Sequence, residues 1–551
     1  MISRPSSPSF AAPGGAPERA ADPDLATQRA VRQDHQRAAS IHELAQRGEA
    51  EVVEYLDELV AMLQSSGPSV KRAVCQAFRA AGPRGFDHLQ SVEPLLADPD
   101  PGVRYEACVS LAGCGRRAAA AKKSILPLLK DQKETVRFAA CVALGRADAA
   151  EWADMVAPLL RDPSPEVQGA ACLALGRLGL AGRGHAAEVA GRLREPRSRL
   201  EAIRALGMLG EAGARHCEQV RACLRDEDPE VRVAAAQSLG QMANVMQDSS
   251  ALVAKTAELL TSPEGRHRIA AALALGHMGE KSAGQAGALQ EMLSDSGVEP
   301  AYGALAAGGA RRMPPPCCRK AKCAAAAALS SLVVSGGARS PEEVAGAVAR
   351  LLEDADWEAR AASCEALGAM GEHARGQAAA VGALLRDSAQ QVRAAAAVCC
   401  GRIGATGQCP ALAAALADGA AAVRAEAALA LGELGEEGAG FAGGVFEKTA
   451  DESPRVRAAA MMALGRMGET GRLYAGAIAL HLSGEEPAEV KAAAAQALGA
   501  MGRRGALYSG AVARLLSDPA SSATAEAVLR KMRAEDADGP HGALLRKMRG
   551  M

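Results

Sequence analysis

Apolar positions recur at helical spacing along most of the chain, and the same polar signal interrupts them once per longer cycle. A Val followed by a basic or amide residue marks each cycle: Val70-Lys71, Val103-Arg104, Val136-Arg137, Val167-Gln168, Val231-Arg232, Val392-Arg393, Val423-Arg424, Val456-Arg457 and Val490-Lys491. Looser copies put Arg199, Arg268, Lys322 and Arg360 at the basic position. Eight positions after most of these Val residues stands a large apolar residue: Phe78, Leu111, Leu144, Leu175, Leu239, Leu431, Leu464 or Leu498. Gly then follows in most copies. The period is roughly 31–38 residues outside one insertion, the mark of a stacked array.

Each copy reads as two helices. In residues 151–179, Met155, Val156, Leu159 and Leu160 form one helical stripe. The segment Arg161-Asp162-Pro163-Ser164-Pro165 breaks it, and Pro165 suits the first position of a second helix. Val167, Ala171, Cys172 and Leu175 share a face of that helix, and Gly176 with Gly179 is expected to end it. Pro94, Pro127 and Pro158 recur inside the first helix, which predicts a kink or late start there. The expected fold is therefore all-α: an α-solenoid, a superhelix of stacked helix pairs.

An acid stands six residues before the basic position. The pairs are Asp98 with Arg104, Asp131 with Arg137, Asp354 with Arg360, Asp387 with Arg393, Asp418 with Arg424 and Asp451 with Arg457; Asp162, Asp226 with Arg232, and Glu485 extend the column. One exposed pair contributes little. A column of pairs predicts an inter-repeat ladder, in which each Asp bonds its own turn and the Arg of an adjacent repeat.

Asp, then Val-Arg, then an Ala-rich Ala-Leu-Gly helix resembles the HEAT repeat, an armadillo-like module; the short, Gly-ended form is similar to the HEAT-like repeats of phycobilisome lyases. The resemblance covers roughly residues 50–530. It implies an intracellular scaffold or adaptor that binds protein partners along the solenoid's inner face. An enzyme-associated role, as in the lyases, and a nucleic-acid-binding array are the alternatives. Deoxyhypusine hydroxylase, also built of HEAT-like repeats, holds iron with His-Glu pairs, whereas His42-Glu43 is the sole such dipeptide here.

Composition narrows the picture. Aromatics are 2% of the chain against 49% hydrophobic residues, so the core must be packed with small and aliphatic side chains. Sixty-three basic and 64 acidic residues leave a net charge of −1, which does not favour nucleic acid as the partner. Cys75, Cys108, Cys141, Cys172 and Cys364 occupy one repeat position where other copies have Ala272, Ala428 or Met461. That is a buried packing slot for reduced thiols, which suits a cytoplasmic chain. No membrane span, catalytic set, cofactor or metal site is expected: phosphate-loop and nucleophile-elbow patterns are missing, and Cys317, Cys318 and Cys323 lack paired spacing.

The expected organisation has six parts. Residues 1–23 form a disordered tail, with organelle targeting as the weaker alternative. Residues 24–63 are capping helices with Ile41, Leu44, Val52, Tyr55, Leu56, Leu59 and Leu63 as apolar anchors. Residues 64–295 are HEAT-like repeats. Residues 296–323 are an irregular Gly/Pro/basic loop. Residues 324–519 are further repeats. Residues 520–551 are a C-terminal cap and basic tail, with Leu-Arg-Lys-Met-Arg written twice, at 529–533 and 545–549. The loop and tail are alternative docking sites.

Overall fold

A computed structural model describes residues 23–538 apart from 48, 66, 149, 296–319, 484 and 518. The predicted insertion loop, the N-terminal tail and the second Leu-Arg-Lys-Met-Arg copy therefore lie almost wholly outside the described residues. Among the described residues no strand is present, and the fold is an all-α solenoid. The chain divides into two compact units, Met1–Val220 and Arg221–Met551.

In the N-terminal unit the long helices are α1 (Pro23–Arg47), α2 (Pro68–Ala80), α3 (Pro101–Gly113), α4 (Glu134–Arg146), α5 (Pro165–Arg177) and α6 (Arg199–Met208). Each packs on the next, making a row. The C-terminal unit repeats the plan with α7 (Pro229–Val245), α8 (Gly265–Met278), α9 (Ala321–Val334), α10 (Trp357–Met370), α11 (Gln390–Arg402), α12 (Ala421–Glu433), α13 (Pro454–Arg466), α14 (Ala488–Ala500) and α15 (Pro519–Asp538).

Pro at the first helical position and a polar side chain before it start several row helices. Asp100 accepts the Val103 N–H at 2.9 Å, and Ser164 caps α5. The marker Val points inward: Val70, Val103, Val136, Val167, Val392, Val423, Val456 and Val490 are fully buried. So are the Cys residues of the packing slot, with Ala272, Ala428 and Met461 beside them in the same role. In the N-terminal helices Ile41, Leu44, Val52, Leu56, Leu59 and Leu63 are buried and Tyr55 is half-buried.

Two local expectations need correction. Gly176 does not end its helix. It lies inside α5, where a Cβ would come within 2.8 Å of the Ala205 Cα on α6. Gly145, Gly276, Gly432 and Gly465 make the same close approach to an Ala of the next row helix, Gly432 at 2.6 Å from the Ala463 Cα. A hydrogen at this position is what lets neighbouring backbones touch. The terminator is three residues on, at Gly179 as expected: Gly179 takes φ 55° and Gly435 φ 61°, a conformation glycine enters without strain. Asp148 replaces glycine at one such turn with φ 55°, as a short polar side chain can.

The first helices are not single α-helices either. Residues Ala153–Val156 are α-helical and Ala157–Arg161 tighten to 3-10, which leaves Met155 40% exposed while Val156, Leu159 and Leu160 stay buried. Pro94, Pro127 and Pro158 each sit at the start of such a 3-10 segment. Repeats without proline show the same switch, as at Ala378–Ala383 followed by Leu384–Arg386. Proline shortens the α part to four residues; it does not cause the tightening.

Candidate functional site

The column of acids and bases lies at the joints of each row. Arg104 donates through Nε and Nη2 to Asp131 at 2.8 and 3.0 Å, and through Nη1 to its own Asp98 carbonyl at 2.8 Å. Arg137 does the same with Asp162, at 2.7 and 2.8 Å, and with the Asp131 carbonyl. In the C-terminal unit Arg360 holds Asp387, Arg393 holds Asp418 and Arg424 holds Asp451, all in the two-pronged geometry that matches guanidinium to carboxylate. Each Asp also accepts the backbone N–H two residues on, as Asp131 from Lys133 and Asp418 from Ala420. One carboxylate thus closes its own turn and ties down the preceding repeat.

The remaining rungs vary this plan. Lys71 reaches Asp98 at 2.7 Å and Lys322 reaches Asp354 at 2.6 Å. Asp226 accepts the Asp228 N–H, and Arg232 donates to the Asp226 carbonyl at 2.7 Å. Gln168 keeps the bond to its own carbonyl, that of Asp162, at 2.7 Å. Arg457 meets Glu486 at 2.7 Å, so the acid of that rung is one residue beyond Glu485. Asp295, not singled out from sequence, holds Arg268 at 2.5 and 2.8 Å. It was hidden because no base stands six residues after it; its place at the end of a Met-Leu-Ser 3-10 segment was the available signal.

Hydrogen bonds from Arg360, Arg393 and Arg424 hold the Asp387, Asp418 and Asp451 carboxyls below the usual carboxylate range. At Asp131 and Asp162 burial pushes the other way, but the bonds from Arg104 and Arg137 prevail. Burial pushes the thiols of Cys75, Cys108, Cys141, Cys172 and Cys364 up to about 12, leaving them unreactive as nucleophiles.

The second feature was not legible as such in the sequence. On the outward face of α3 to α6, positions four apart align into three parallel lines across the row. The first carries Tyr105, Phe138, Gly169 and Leu200. The second carries Val109, Val142, Leu173 and Arg204. The third carries Gly113, Arg146, Arg177 and Met208. Tyr105, Phe138, Val109, Val142 and Leu173 are half-buried, and Arg146 and Arg177 are exposed. Partial burial, and then the neighbouring Arg146 charge, hold the Arg177 guanidinium below its ordinary value. Like charges stand side by side there.

Three histidines outside both features are dispersed. His185 pairs with Asp154 at 2.9 Å, His216 with Gln219 and His373 with Glu342. Trp357 is 39% exposed at the start of α10. Among the described residues no group of three His, Cys, Asp or Glu side chains could hold a metal ion, and no helix is long and apolar enough to cross a membrane. A cleft of about 720 Å³ beside Pro94 and Pro127 is lined by Glu93, Asp98, Arg104 and Ser124, whose polar groups bind one another or the ladder.

Residues 89–154, 123–198, 186–256 and 378–440 match the family model described as HEAT repeats. These segments are HEAT repeats. Among solved structures it is similar to yeast importin-beta (Kap95p), at 15% identity and TM-score 0.57, covering 88% of this chain and 72% of that one. It is similar to a Kap121p mutant at 12% identity and TM-score 0.52, over 93% of this chain and 64% of that one. The Kap95:Nup1 complex matches at 15% identity and TM-score 0.53, over 88% and 72%. No curated protein matches the sequence. At these identities the likeness establishes the solenoid fold.

Proposed function

We propose that this chain is a non-catalytic HEAT-repeat scaffold or adaptor whose protein partner docks on the solvent-facing side of the second-helix row, the surface the sequence leads one to expect as the solenoid's inner face. The observation that carries this reading is the set Tyr105, Val109, Phe138, Val142 and Leu173, partly exposed and aligned across three successive helices. Aromatics are 2% of this chain, so two of them on one outward face mark it out from an ordinary solvated surface. A solenoid of the same fold is named in complex with a protein, Nup1. The ladder's role is to hold neighbouring repeats in fixed register, so that the face stays continuous. The ladder arginines are occupied by aspartates, so they supply no free basic stripe for nucleic acid. A cytoplasmic location suits the buried free thiols.

The full chain, immobilised, should recover a stoichiometric protein partner. Val142→Asp with Leu173→Asp should abolish capture while the circular dichroism spectrum still shows the full helical fold at the assay temperature. Undiminished capture by that variant would remove this face from consideration.

A further inference from the structure

Resting on that reading, we infer that the docking face of α3 to α6 takes an acidic amphipathic peptide segment. The three lines of side chains differ in character. Over α3 to α5 two are mainly apolar, led by Tyr105 and Phe138 and by Val109, Val142 and Leu173, while on α6 the second line ends in the exposed Arg204 and Glu201 lies against Gly169 of the first; the third carries Arg146 and Arg177 as exposed cations. A segment lying across the row meets apolar side chains along one flank and guanidinium groups along the other. Its complement is a helix with an apolar stripe bordered by Asp or Glu. The charge complementarity is local: Arg104 and Arg137, one helical edge away, are already held by Asp131 and Asp162, and Arg79 by Glu106. Arg116 is likewise met by Asp148. Two adjacent arginines raise each other's cost of charge, and an incoming carboxylate relieves it.

Geometry sets the length. Packed helices stand about 8–10 Å apart. Four of them span roughly 25–30 Å, which a helix of about 20 residues covers. Nucleic acid is the less suitable occupant. A phosphate backbone wants a long run of cations, whereas here three guanidinium groups, of Arg146, Arg177 and Arg204, border a field of Tyr, Phe, Val and Leu.

The test uses the full chain and two synthetic 20-residue amphipathic helices with one Leu/Phe stripe, flanked by Glu in the first and by Lys in the second. Fluorescence anisotropy should show saturable binding of the Glu peptide and at least about tenfold weaker binding of the Lys peptide. Arg146→Glu with Arg177→Glu should weaken the Glu peptide by about tenfold and strengthen the Lys peptide. Both arginines are exposed, so the double variant keeps its fold, checked by circular dichroism. Equal binding of both peptides, no effect of the reversal, no saturable binding of the Glu peptide, or tighter binding of a 20-mer oligonucleotide would each overturn the assignment. The two readings fail separately. Equal binding of both peptides by the native chain, abolished by Val142→Ser with Leu173→Ser, leaves the docking face standing and removes its acidic partner. Charge discrimination that survives those apolar substitutions removes the docking face itself.

Discussion

The same three lines can be traced on the outward face of the C-terminal row, and they are written differently. Where α3 and α4 present Tyr105 and Phe138, helices α11, α13 and α14 present Ala394, Ala458 and Ala492. Where Arg146 stands beside Arg177, Glu433 stands beside Arg466 at 3.5 Å. The joints differ in the opposite sense. Arg360, Arg393 and Arg424 make three consecutive two-pronged rungs in the C-terminal unit, whereas the N-terminal run of Arg104 and Arg137 gives way to Gln168. The N-terminal unit exposes aromatic and aliphatic side chains on these lines, and the C-terminal unit repeats the two-pronged rung over more consecutive joints. The face and the joint use different helix positions, so either can vary without a change in the core.

The sharpest way to break the C-terminal stack is at its closest approach. Gly432→Val places a branched side chain where a Cβ alone would sit 2.6 Å from the Ala463 Cα. Loss of about 3 kcal/mol or more is expected, read as a lowered urea midpoint with a broadened transition. Gly371→Ala is the control: open space surrounds it, so only the left-handed φ of 60° matters, at about 1–2 kcal/mol.

Removing a rung comes next. Arg424→Ala strands the Asp451 carboxylate, whose side chain is 7% exposed, and should cost about 2–3 kcal/mol in the same urea titration.

The rungs also set a pH dependence. Their carboxyls lie below the ordinary carboxylate value of about 3.9, so the stabilisation is complete well above that value and is lost as pH falls from there through the lowered folded-state value. The urea midpoint should stay level from about pH 7 to 5 and drop below about 4.5. In the Arg424→Ala protein the drop should be shallower, since one lowered carboxyl no longer contributes.

Thiol reactivity separates core from surface within the N-terminal unit. Peptide mapping after brief alkylation at about pH 8 should find Cys217, which is partly exposed, modified before Cys108, Cys141 and Cys172, and urea should erase the difference. The smallest effect is expected at the exposed Glu433–Arg466 contact. Arg466→Ala should move stability by less than about 0.5 kcal/mol, the usual worth of a solvated pair.

The sequence by itself determined the helix pairs, because a period of roughly 31–38 residues with 3.6-residue apolar spacing inside it admits no other compact arrangement. It also determined the buried slot shared by Cys172, Ala428 and Met461, since only a packed interior tolerates that mixture. The acid and the base of each rung were visible as a spacing of six. Only the tertiary structure decided that Arg104 reaches forward to Asp131 while still bonding the Asp98 carbonyl, that Asp295 belongs to the column, and that Gly176 is a contact rather than an ending. It also decided which residues form the outward face: Tyr105, Phe138, Val142 and Arg146 become neighbours only when α3 lies against α4. Spacing along one helix is a local property of the chain, whereas alignment across helices depends on how closely their backbones approach, and that distance is set by packing.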